Sequence, residues 1–436
     1  MYFSASFEEL QNRKMAHWFH RNPLKATAPA SFDLRLVATN AASQKICSEA
    51  RQARQRLLEV ISDPNNEVAT LETAVNNYLA LLHGFMVSLD DDKSGDSKMR
   101  MIFKFKWTNT LCGNMPQEQQ DTVFELICMG LNIALWYTKH AAKIAGKEEP
   151  AMEEAKEVHK CLRKAAGIFQ NIQDSQVGRL VEQPEKGTDM DSRVLNAYIH
   201  QSTAEAQEVT LARAIELKHS SSLVSALAYE TSKMFINSDD SLASLEEKDV
   251  GKWRKYLQLK SSFYHAYAYS YHGETLLAED KCGEAIRCLQ ESVKYFDKAT
   301  TLSKDYSSTK GPGTTCKPQE HAFYKNLGTH LKRTLEKCER ENGFIYHQKV
   351  PPEAPELELK ATYGLVKPEE FEIPAPSPLW SKAVYGAFDI TKNTQPDDKK
   401  KNDDKKKDGE ELPPVKEADI PQSNKDPKTF SGCSIS

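Results

Sequence analysis

No apolar run in this chain reaches the eighteen or so residues that a membrane helix needs, so no segment reads as a span. A one-signed field is missing too: 58 Lys and Arg against 62 Asp and Glu leave a net charge of −4, which argues against nucleic acid as a partner. Met1 to Lys14 lacks the apolar stretch of a signal peptide, and Tyr2 rules out myristoylation. With Met15 available as an alternative start, residues 1–14 read as a dispensable extension. The nine cysteines are odd in number and never spaced C-x-x-C, which suits reduced thiols in the cytosol rather than a disulfide framework. No phosphate-cradling G-x-x-x-x-G-K-[ST] occurs, and Gly311-Pro312-Gly313 is a turn without the lysine that such a loop requires. His17 and His20 have no acid or cysteine cluster to complete a metal site, so packing is the reading for both and no cofactor is expected. No cysteine sits in a recognisable nucleophile frame. The expectation is a protein that is not an enzyme.

Strand-like alternation is also scarce. Residues 99–107, and 344–350 after them, are the candidates, each short enough for a small accessory sheet. What is present instead is helical periodicity from 40 to about 345. Val75, Tyr78, Leu79, Leu82, Phe85, Met86 and Leu89 recur at threes and fours. Asp121 and Thr122 open a helix that ends near Gly146. Further helices are predicted over 151–173, 190–218, 221–236, 250–279, 283–304 and 319–341. From Tyr264 to Phe296 an aromatic-rich helix, Gly273, then Cys282-Gly283-Glu284-Ala285-Ile286 and a second helix resemble a tetratricopeptide-type hairpin. No second copy follows at that period, so the pattern predicts a mostly α, irregular solenoid.

Composition changes after Glu341. Twelve of the twenty prolines lie in the last 86 residues, so 350–395 should run extended, because proline lacks the donor a helix needs. That stretch keeps Tyr363, Leu365, Phe371, Trp380, Tyr385 and Phe388, and reads as a strap packed along the helices. From 396 aromatics vanish except Phe430. In 396–432 nine lysines, among them Lys399–Lys401 and Lys405–Lys407, interleave with ten acids, and 396–436 reads as a disordered polyampholyte. It ends in Cys433-Ser434-Ile435-Ser436, a C-a-a-X signal whose Ser at X favours farnesyl. The expected product is an S-farnesyl cysteine methyl ester at Cys433 after removal of the last three residues, made by farnesyltransferase. The alternative is an exposed thiol. One prenyl chain beside cancelling charges anchors only marginally, so a second attachment is needed. Small GTPases are excluded by the missing nucleotide loop.

Ser220-Ser221-Ser222 can cap a helix that sets Leu223 and Leu227 four apart on one face, either as core or as the anchors of a partner groove.

At His17-Trp18-Phe19-His20-Arg21-Asn22-Pro23, Ala206-Gln207-Glu208-Val209 and Gly343-Phe344-Ile345-Tyr346-His347 the chain resembles the BRO domain family, which includes Alix. The resemblance spans residues 15–395 and is to the short, prenylated kind of member. It implies a curved, banana-shaped helical domain with a tetratricopeptide-like core and a small sheet. It also implies a concave groove for the C-terminal helix of ESCRT-III subunits, the charged multivesicular body proteins. The family's apolar groove pair falls on Leu223 and Leu227 and a groove lysine on Lys156, whereas an acidic position is Met152 here and an aromatic one Thr210. The implied place of work is the cytoplasmic face of membranes, endosomal or nuclear. A prenylated tetratricopeptide-type co-chaperone is the other reading; its groove would be a basic carboxylate clamp.

Overall fold

Capping side chains mark where several of the helices begin. A computed structural model describes residues 19–90, 95–147, 151–314, 316–357, 361, 363–392 and 411–418. Asn40 opens α1 (Ala41–Ile61): its Oδ1 accepts the Ser43 N–H at 2.8 Å, and Ser43 Oγ accepts the Asn40 N–H. α2 spans Val68–Met86. Asp121 caps α3 (Thr122–Ala145) by accepting the Val123 N–H at 2.9 Å, as its place in the sequence predicts. α4 (Met152–Asn171), α5 (Ser192–Glu216), α6 (Ser221–Leu242), α7 (Glu247–Ala278), α8 (Cys282–Ser308) and α9 (Ala322–Glu341) follow, each packed on the one before. In the α7–α8 hairpin Gly273 admits α8 closely: a Cβ there would stand 3.2 Å from Leu289 Cγ. The absence of a side chain at that seam is what the hairpin needs.

Strands are short. β1 (Phe105–Trp107) pairs antiparallel with β2 (Gln117–Gln119), so the first predicted strand shrinks to its last residues. The second does not form. Asn342–Tyr346 is a π-helical turn that His347 ends at φ +52°, and 347–350 finds no strand to pair with. Apolar and aromatic residues gave that segment its strand character, but a strand needs a neighbour.

The described residues of the strap cross much of the body. Ser377 N–H donates to the Ala80 carbonyl and Trp380 Nε1–H to the Leu81 carbonyl, both at 2.9 Å. Trp380 lies flat on Gly84, where a Cβ would come within 2.2 Å of the indole. Not all of the strap is extended: Ser381 caps a short α10 (Lys382–Gly386), which delivers Tyr385 and Phe388 to the core. Asp389 N–H then bonds the Val37 carbonyl, so the strap's end returns to the chain's beginning.

One expectation is corrected beyond it. Within the segment read as a disordered tail, residues 411–418 lie on the body, because Glu417 meets a buried lysine and Val415 an apolar surface. Residues 1–14, His17, both lysine triplets and Cys433 lie outside the described residues.

Candidate partner groove

Leu223 and Leu227 share a face of α6, and Ser220 caps that helix by accepting the Leu223 N–H. The structure buries both, with 8% of Leu223 and 1% of Leu227 exposed. What covers Leu227 is the strap: a Cβ on Gly364 would sit 3.4 Å from a Leu227 methyl and 3.8 Å from the Thr210 methyl. Gly364 has φ +81°, a conformation that glycine adopts without strain.

Gln207 on α5 holds the strap there. Its Nε2 donates to the Gly364 carbonyl at 2.9 Å and its Oε1 accepts the Val366 N–H at 2.7 Å. α4 supplies the other bank. Arg163 Nε donates to the Lys367 carbonyl, the Arg163 carbonyl accepts the Glu369 N–H, and Asn171 Nδ2 donates to the Phe371 carbonyl. Gly167 lets the backbone of Glu369 lie against α4. The strap thus runs between α4 and the α5–α6 pair, and Tyr363 and Leu365 stand exposed on either side of Gly364. Lys156, two turns N-terminal of Arg163 on α4, is exposed and pairs with Glu153 at 2.7 Å. Leu227 therefore lies beneath the strap rather than in an open stripe, Leu223 is buried one turn before it on the same face, and Lys156 is a solvated charge.

Beneath the groove lies a buried polar layer that the sequence motifs encode but periodicity does not reveal. Arg21 pairs with Glu205 at 2.7 Å and Lys260 with Glu208 at 2.6 Å, all four almost fully buried. Glu205 also accepts from Tyr256 Oη and Gln201 Nε2. Burial pushes the Glu208 carboxyl up to about 7 although Lys260 pulls it down. His20, which hydrogen-bonds Tyr306 and Asn22, is held down at about 3, by burial first and Lys252 second. His20 is thus a core histidine, and two of the motifs that carry the resemblance are structural: one fixes the N-terminal segment to α5, the other clamps the strap and pairs α5 with α7. The third, Gly343 to His347, forms the π-helical turn and leaves Phe344 and Ile345 in solvent.

The comparisons agree with this architecture. A family model of the BRO1-like domain matches residues 36–401. The chain belongs to the BRO1-like domain family. It is 55% identical over 386 residues to the BRO1 domain-containing protein BROX of Xenopus tropicalis, covering 88% of this chain and 94% of that one. To a BROX homolog of Caenorhabditis elegans it is 43% identical over 430 residues, covering 97% of this chain and 100% of the relative. Among solved structures, an ALIX BRO1–CHMP4C complex superposes with a TM-score of 0.65 at 17% identity, over 83% of this chain and 98% of that one. A second, described as a basis for endosomal targeting by the Bro1 domain, gives 0.61 at 19% identity, over 87% of this chain and 97% of that one. The fold is the curved, mostly α BRO1 architecture.

Proposed function

We propose that this protein is a non-enzymatic adaptor of ESCRT-III. The groove between α4 and the α5–α6 pair takes the C-terminal helix of a charged multivesicular body protein, and a farnesyl group on Cys433 holds the adaptor reversibly on cytoplasmic membrane faces. The observation that carries the reading is the apolar edge at the strap crossing: Tyr363 and Leu365 are exposed beside Gly364, which lies against Leu227. An amphipathic helix fits such an edge through anchors at i, i+3 and i+4, and the exposed Lys156 ammonium supplies a charge that fixes register. The ALIX BRO1 domain, of the same fold, has been solved with CHMP4C, which supports a partner of that class.

Each attachment is modest by design. One lipid chain anchors marginally, and a micromolar groove becomes sufficient where a filament presents many tails on one membrane. Fluorescence anisotropy with a labelled ESCRT-III C-terminal helix tests the groove. Wild type should bind in the micromolar range and a Leu223→Asp variant at least about tenfold more weakly, since a carboxylate would be stranded in an apolar pocket. Equal affinity in a folded variant removes this site.

A further inference from the structure

Residues 411–418 hold a second feature of the body's surface that the groove does not use. Leu412 N–H donates to the Asn114 carbonyl at 3.1 Å and Ala418 N–H to the Ser62 carbonyl at 3.2 Å. Between them Leu412, Val415 and Ala418 are partly buried while Pro413, Pro414 and Lys416 are exposed. That spacing of three is the period of a polyproline II segment, which Pro413-Pro414 favours. Glu417 closes the contact: one carboxylate oxygen accepts the Leu24 N–H at 2.8 Å and the other meets Lys139 Nζ at 2.6 Å.

Lys139 is the informative partner. Its side chain is 3% exposed, on α3, and the acid that meets it among the described residues is Glu417. Burial lowers Lys139 and nearby Arg21 adds to that, while Glu417 works against both. Arg21 is itself paired with Glu205. A buried ammonium without a counter-charge is strongly unfavourable. The body therefore carries a lysine and a backbone N–H converging on one point that a carboxylate from elsewhere in the chain must fill.

We propose that this surface is a second peptide-docking site, specific for an extended, proline-containing segment that carries an apolar anchor and a glutamate two residues later, and that Leu412–Ala418 occupies it in cis as a latch. The latch ties the chain at Ala418 to Ser62, at the turn between α1 and α2. Fifteen residues separate Ala418 from Cys433, a fully extended reach of about 50 Å. Measured instead from Lys392, forty-one residues would reach roughly 140 Å. The consequence for a lipid rests on farnesylation of Cys433; the docking itself does not.

Hydrogen exchange on the full-length chain tests the latch independently of any lipid. The Leu412 and Ala418 amides should exchange slowly in wild type and at least about tenfold faster in Glu417→Lys, where two ammonium groups would oppose each other. A labelled peptide of residues 411–418 should bind the opened Glu417→Lys chain in trans, and the same peptide with Gln in place of Glu417 should bind at least about tenfold more weakly. Should Glu417→Lys fail to fold, Lys139→Met, which removes the charge and keeps the stem, should show the same accelerated exchange. Equal exchange in wild type and variant, or a peptide indifferent to its glutamate, overturns the proposal.

Discussion

The Gln207 side chain accepts the Val366 N–H at 2.7 Å, joining α5 to a strap 159 residues further along the chain. The same amide donates to the Gly364 carbonyl, so one carboxamide satisfies two backbone groups of an otherwise irregular segment. Gln207→Ala should leave both unmet, at about 1–3 kcal/mol for each group that stays buried. The check is urea denaturation together with exchange of the Val366 amide, which should rise in the variant. A Val366 amide that stays protected would mean that Arg163 and Asn171 hold the strap without Gln207.

The two groove leucines should separate by what they do. Leu227, sealed under Gly364, belongs to the core, and Leu227→Ala should cost about 2–5 kcal/mol of stability. Leu223 keeps a little exposure at the helix start, so Leu223→Ala should cost less stability and more affinity for an ESCRT-III helix. Thermal unfolding beside peptide anisotropy distinguishes them, and equal losses on both axes would merge the two roles.

Lys156→Ala should change stability by less than about 0.5 kcal/mol, because an exposed pair with Glu153 contributes little. It should weaken peptide binding modestly and flatten its dependence on salt. An unaltered salt dependence removes Lys156 from the site.

Stability should fall with acid, and the window follows from three buried groups. Burial holds His20 down at about 3 and His265 at about 4, against 6.5 for an ordinary histidine. A proton therefore binds the unfolded chain first, and the stability these residues contribute above 6.5 is lost as pH falls toward 4. Glu208, raised to about 7 from 4.5, has the opposite sign: between those values the folded state keeps a proton that the unfolded chain releases, so its contribution declines as pH rises. Two histidines against one carboxylate give a net loss between 6.5 and 4.5, steeper below 4.5, where Glu208 is protonated in both states. Urea midpoints at about pH 7.5, 5.5 and 4.2 read this directly. A level profile down to the lowest pH contradicts neutral histidines at these positions.

On the proposed reading, in which a single prenyl chain supplies the apolar burial, Cys433→Ser should abolish most membrane flotation. Leu223→Asp with the lipid intact should float on bare liposomes but gather less on liposomes coated with ESCRT-III. A Cys433→Ser chain that floats like wild type would end the lipid reading.

The helices were legible because their signals are local. Asp121 and Gly146 bracket α3, and the threes and fours of Val75 to Met86 mark α2. The Leu223 and Leu227 spacing predicted a shared face, but not the strap over it, since that depends on Gly364, far along the chain. The docking of Glu417 on Lys139 was invisible for the same reason: charge counting over 396–432 treats every acid as solvated, and one of them meets a buried ammonium. The expected strand at 344–350 failed because its composition suited a sheet that the fold does not extend to it.

The strap also orders events during synthesis. Residues 364–389 touch α4, α5, α6, α2 and the segment before α1, yet they leave the ribosome after all of these. A nascent chain that has completed α9 still has Gly84, Gly167 and Leu227 uncovered. Final consolidation therefore waits until the strap has emerged, and the nascent solenoid is a natural client for chaperones until Trp380, Tyr385 and Phe388 arrive. Premature termination just after α9 would leave α1 to α9 encoded and the fold unfinished.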